Sequence, residues 1–207
     1  MKPHLACLLV AVATLVLPDL AHACGNGAVE FADDFKTPDP GWSHTTHGNV
    51  GSGAITLTPA VNAGTSAAND TYIFSDADVC AQIKLSDFTK PEQVGGGLEF
   101  WITDSSSYFT FIIHPSGAWN LQRQVGTRWI IINTGNSDAI KKGAAAVNEV
   151  EVRLSGKTGT AYVNGTKVTT FNGQPPEGGG YFGVFAQSEN ERANIWEFQD
   201  FKILKPQ

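Results

Sequence analysis

The sequence predicts an all-β protein, a two-sheet antiparallel β-sandwich of the jelly-roll kind. Three observations carry this. Apolar and polar residues alternate with a period of two between turn signals, the pattern of strands with one buried face. No stretch of useful length repeats with the helical period. The chain combines 22 Gly with 12 Phe and 5 Trp, and it is 42% hydrophobic against 16% charged residues. That is too apolar for a disordered chain and too weakly charged for a coiled coil.

Taken in order, residues 1–23 read as a signal peptide. Lys2 and His4 precede an apolar run over 5–17, and Ala21-His22-Ala23 supplies small residues at the cleavage positions. The run is too short for the ~20 residues that span a bilayer, and no other stretch is apolar enough to be a membrane span. The folded unit is therefore expected over 24–207, in a secreted or periplasmic protein. The alternating runs 53–59, 77–85, 94–104, 107–114, 118–125 and 128–133 follow as strands, then 148–154, 159–171, 180–188 and 194–204. Asn164-Gly165 splits 159–171 into a hairpin, because both residues tolerate positive φ. The segment 137–143 is expected to form one helical turn. Short strands at this spacing, joined by short turns, make a sandwich or jelly roll.

Losing 1–23 removes Cys7 and leaves Cys24 and Cys80, an even count for an oxidising compartment. In 77–85, Val79, Ala81, Ile83 and Leu85 share one face, so Cys80 points the other way and can receive an N-terminal arm on the outside of the sheet. The expectation is a Cys24–Cys80 disulfide, worth roughly 4 kcal/mol on the loop-entropy model. Cleavage after Ala23 would also leave Cys24 first, so a lipid-modified Cys24 is the alternative.

A net charge of −6 and basic residues scattered along the chain argue against nucleic acid, whose phosphates need clustered Lys and Arg.

With the elements placed, the chain resembles the concanavalin A-like lectin/glucanase superfamily of jelly rolls. The residues that carry this are FADDFKTPDPGW (31–42), GGGLEFWITD and YFTFIIHPSGAWNLQRQVGTRW (95–129), AIKKGAAAVNEVEVRLSGKTGTAYVNG (139–165), PPEGGGYFGVFAQS (175–188) and WEFQDF (196–201). Within that superfamily the pattern looks like laminin-G-type domains and bacterial 3-keto-disaccharide-hydrolase-type domains. The resemblance implies a jelly roll that hosts lectins, hydrolases and adhesion modules alike, so function must be argued from a site.

Glucanases of this kind carry a Glu-x-Asp-x-(x)-Glu strand. The nearest string here, Glu149-Val150-Glu151-Val152-Arg153, lacks the central Asp. Its two glutamates lie roughly 7 Å apart on one strand face, and they read as a solvated face with Val150, Val152 and Leu154 buried behind. Glu99, Glu149, Glu151 and His114 are the available acids and bases if the protein cleaves glycosides, by hydrolysis or elimination. Sugar binding asks instead for flat rings among hydrogen-bonding groups. Strand parity turns Glu99, Trp101, Tyr108, Thr110, Asn120, Gln122 and Tyr162 outward, on one concave face if their strands form one sheet. Laminin-like jelly rolls often bind calcium. Because first and last strands pair in this fold, the resemblance makes Asp34 and Asp200 the candidate ligands of a structural Ca²⁺; no other cofactor is expected.

Three functions follow. The first is an exported module that binds a polysaccharide or glycan without evident catalysis. The second is a glycoside-cleaving enzyme using carboxylates on the concave face. The third is a laminin-G-like module that adheres to an extracellular protein.

Overall fold

The computed structural model describes residues 24–43 and 45–206; the signal-peptide reading falls on residues outside these. The strands in chain order are β1 (Val29–Asp33), β2 (Gly48–Gly51), β3 (Ala54–Leu57), β4 (Gly64–Phe74) and β5 (Ala77–Leu85). There follow β6 (Gly95–Asp104), β7 (Ser107–Ile113), β8 (Ala118–Val125), β9 (Arg128–Asn136) and β10 (Val147–Ser155). The last are β11 (Thr158–Val163), β12 (Thr166–Asn172), β13 (Gly180–Gln187) and β14 (Trp196–Leu204). All pairings between them are antiparallel, in two sheets stacked as a sandwich. The 8-stranded sheet runs β12-β11-β10-β5-β14-β3-β2, with β1 added to β14, and the 6-stranded sheet runs β4-β13-β6-β7-β8-β9.

The alternation explains the core. Val150, Val152 and Leu154 of β10 and Val79, Ala81 and Ile83 of β5 face inward from the larger sheet. Leu98 and Phe100 of β6, Phe109 and Phe111 of β7, Leu121 of β8 and Val184 of β13 meet them from the smaller one. The N-terminal arm is pinned by a Cys24–Cys80 disulfide whose Cα atoms lie 5.7 Å apart. With Leu204, the two cysteines form a small cluster separate from the main core, on the outer side of the larger sheet. Asn164 (φ 48°) and Gly165 (φ 76°) form the β11–β12 hairpin.

Three details depart from the sequence reading. Strand β4 was not expected, since its GTSAANDTYIF offers small residues where a strand usually shows branched ones. The 137–143 segment forms turns rather than a helical turn, with the Ile140 N–H reaching the Ser137 carbonyl at 3.3 Å while the Ile140 side chain is buried. Within β14 a register shift between Gln199 and Lys202, with Asp200 at φ 51°, lets Phe198 and Phe201 both face inward.

Candidate functional site: a groove on the six-stranded sheet

The register of the smaller sheet fixes which side chains share its outer face. Gly183 of β13 pairs with Ala68 and Glu99, Glu99 with Thr110, Thr110 with Gln122, and Gln122 with Ile131. This row crosses all six strands. One row further on, Tyr108 pairs with Gln124 and Gln124 with Trp129. Side chains two residues apart on one strand point the same way, so Phe185 and Gln187 of β13 join this face with Gly183.

The sheet is strongly curled. Trp129 on β9 and Phe185 on β13 stand four strand spacings apart, about 19 Å if the sheet were flat, yet their ring centroids are 5.7 Å apart. Trp129 also meets Tyr108 edge-on at 5.7 Å. The curl encloses an open groove of ≈ 580 Å³, bounded by Ser66, Tyr108, Gln122, Gln124, Trp129, Phe185 and Gln187, with no Lys, Arg or His among its described lining residues. Trp129 is 44% exposed, whereas Phe185 is buried beside it.

Glu99 and Thr110 sit beneath the lining residues of the groove, on the two central strands of the same face. Both are buried, and Glu99 Oε2 and Thr110 Oγ1 have no hydrogen-bond partner among the described residues. Burial pushes the Glu99 carboxyl up to about 8, with a hydrogen bond from Ser66 acting the other way. Glu99 is therefore neutral at pH 7. Burial, and then the nearby Glu99, raise the Tyr108 phenol above its ordinary value; its hydroxyl is held by Gln124 Oε1. At the end of β7, His114 Nδ1 sits 2.6 Å from the Val94 carbonyl and Nε2 lies 2.9 Å from Asn120 Nδ2. A neutral ring donating from Nδ1 and accepting at Nε2 satisfies both contacts, and burial lowers the His114 pKa in agreement. His114 and Asn120 thus satisfy each other.

The structure brings together Glu99, Tyr108, Thr110, Asn120 and Gln122 and removes the other two residues expected beside them. Trp101 lies in the core. A register shift in β6 after Phe100, with Trp101 at φ 50°, breaks the alternation that would have turned it outward. Its ring packs on Phe100, Phe109 and Phe171. Tyr162 belongs to β11 in the other sheet, under the Arg153 guanidinium at 4.4 Å.

Glu149 and Glu151 lie in that other sheet as well, with the core between them and Glu99. The expected solvated face does not hold for Glu151, which is buried. Its carboxylate accepts the Gly25 N–H at 2.8 Å and Arg153 Nε at 2.9 Å, beneath the disulfide-pinned arm. Asp34 and Asp200 border one surface depression beside the β1–β14 pair. Lys36 already holds Asp34 at 2.8 Å and draws its pKa down. Among the described residues no group of three or more His, Cys, Asp or Glu is disposed to hold a metal.

Sequence reasoning missed Trp129 and Phe185. The signal for Trp129 was present. The tight Gly126-Thr127 turn pairs Val125 with Arg128, hence Gln124 with Trp129, and Gln124 has the same strand parity as the outward Gln122.

No family model matches the chain, and no curated protein matches it. Solved structures do. A carbohydrate-binding module, CBM66 from Bacillus subtilis, is 12% identical over 87% of this chain and 98% of its own, with a TM-score of 0.60. The exoplasmic/lumenal domain of VIP36 in its Ca²⁺- and mannose-bound form is 12% identical over 89% and 91%, with a TM-score of 0.63. A Bacillus licheniformis β-glucanase is 12% identical over 88% and 100%, with a TM-score of 0.58. Among the described residues no helix is long and apolar enough to cross a membrane. With two stacked antiparallel sheets in this order, the chain has a jelly-roll fold like that of these structures.

Proposed function

We propose that this is an exported carbohydrate-binding module whose ligand is a polysaccharide or glycan, seated in the groove of the six-stranded sheet. The observation that carries the proposal is a half-exposed Trp129 ring beside the amides of Gln122, Gln124 and Gln187, in a groove whose walls bear no charge. Flat apolar rings cover the faces of sugar rings while amides exchange hydrogen bonds with their hydroxyls. Similar folds in a carbohydrate-binding module and a mannose-bound exoplasmic/lumenal domain support this reading. Export is supported by the leader-like pattern of 1–23 and by the Cys24–Cys80 disulfide.

Binding without turnover is favoured over glycoside cleavage. Paired-carboxylate hydrolysis places two carboxyls about 5–9.5 Å apart across the scissile bond, whereas Glu99 meets neither Glu149 nor Glu151. Structural calcium at Asp34 and Asp200 stays outside the proposal.

The test is a polysaccharide and glycan array probed with wild type, Trp129→Ala and Gln122→Ala. Retention of wild type with a drop of at least tenfold for Trp129→Ala is expected. Equal retention of all three would move the ligand off this groove, and binding to extracellular proteins alone would favour adhesion.

A further inference from the structure

What lies beneath the groove is built unlike its walls. Glu99 and Thr110 are directly paired across β6 and β7, which sets their Cβ atoms about 4.5–5.5 Å apart. Each presents a buried oxygen with no partner among the described residues. Native folds rarely leave two such groups side by side, since each costs stability until something hydrogen-bonds it. The row they occupy ends on one side in small residues, Gly183 and Ala68.

We propose that Glu99 and Thr110 form a subsite for one hydroxyl group of an uncharged glycan, covered in the free protein by the Trp129 and Phe185 rings. This deepens the function proposed above and rests on it. The protonated Glu99 carboxyl donates to the ligand oxygen, and the ligand O–H donates to Thr110 Oγ1. One hydroxyl, with one proton and two lone pairs, satisfies both orphaned groups. The cover opens at little cost. Trp129 sits on edge strand β9, nearly half exposed, and its contact with Phe185 is edge-on. Phe185 is seated over Gly64, where a Cβ would stand 2.5 Å from its ring.

The same geometry selects against acidic glycans. A uronate or sulfate in the groove would approach Glu99 with no lining Lys, Arg or His to neutralise it. The groups facing Glu99 are Ser66 from β4, Gly183 and Phe185 from β13, Tyr108 and Thr110 from β7, Gln122 from β8 and Trp129 and Ile131 from β9. Of these only Tyr108 titrates, above the physiological range. His114, further along β7, is occupied by Val94 and Asn120. Glu99 is thus the group whose ionisation the ligand senses.

The experiment measures affinity for mixed-linkage β-glucan, mannan, xylan and dextran against polygalacturonate, alginate and heparan sulfate, from pH 6 to pH 9. A neutral polymer is expected to bind best. Its affinity should fall roughly tenfold between pH 7 and 9 as Glu99 ionises, and Glu99→Gln should flatten that profile. Thr110→Val is expected to lose roughly tenfold at pH 6, with Thr110→Ser recovering most of it. Preference for an acidic polymer, or a wild-type profile as flat as that of Glu99→Gln, would overturn the subsite while leaving a glycan groove standing. Failure of folded wild type to bind any polymer would overturn the functional reading itself.

Discussion

Two glutamates are buried to almost the same degree on the outer faces of the two sheets, and their surroundings differ completely. Glu151 is 1% exposed and Glu99 2%. Glu151 accepts hydrogen bonds from Gly25 and Arg153, under an arm tied down by Cys24–Cys80. Arg153 in turn stacks on Tyr162 and lies 4.0 Å from Asp78, whose pKa burial raises to about 6 against the pull of Arg153. Glu151 there is matched within the fold, while Asp78 Oδ2 has the Arg153 charge nearby but no hydrogen-bond partner among the described residues. Glu99 has no cation beside it, one oxygen without a partner and a neutral carboxyl. A buried carboxylate that the protein satisfies belongs to the architecture. One that it leaves unsatisfied, beneath a groove, is available to a ligand.

This contrast can be broken from the satisfied side first. Replacing Cys24 and Cys80 with Ser should cost about 4 kcal/mol, because the unfolded chain regains the freedom of a loop closed across 56 residues of separation. Urea unfolding at pH 7 measures it. Arg153→Ala should cost about 3 kcal/mol by leaving Glu151 and Asp78 buried without their cation. The same titration reads the loss.

The orphaned side should respond with the opposite sign. Folded Glu99 titrates near 8, whereas an unperturbed glutamate titrates near 4.5. Between these pH values the unfolded chain releases a proton that the folded chain keeps, so stability falls as pH rises. Glu99→Gln removes that penalty. It should be near neutral at pH 4 and should stabilise by on the order of 3 kcal/mol at pH 7, read as a pH-dependent rise in Tm. A loss of stability in Glu99→Gln at pH 7 would make the two glutamates alike. Smallest of all, Trp129→Ala should change stability by less than about 0.5 kcal/mol, since its ring is half in solvent, while its effect falls on binding.

What the sequence made legible follows from how local each determinant is. Alternation is a property of consecutive residues, so Val79, Ala81 and Ile83 could be assigned to the core and Cys80 to the outer face without knowing their partners. Asn164-Gly165 likewise contains its own turn. Trp101 was lost to a bulge, which reverses the facing of a side chain through one residue's φ and leaves the composition of β6 unchanged. Tyr162 was lost because sheet membership depends on β10 pairing with β5, a contact distant in sequence. Strand β4 was missed because its Ser66 and Ala68 are small where the curled sheet leaves a groove, the opposite of what strand propensity seeks. Trp129 lies in a run, Trp-Ile-Ile-Ile, with no alternation to read; only the adjoining hairpin orients it.

The central claim is that ligand lands on the face of the unsatisfied glutamate. Hydrogen–deuterium exchange with and without the tightest-binding neutral polysaccharide tests it most directly. Slowed exchange is expected in peptides from β6 to β9, with no change in β10 to β12. Slowing confined to β10–β12 and the N-terminal arm would contradict the account.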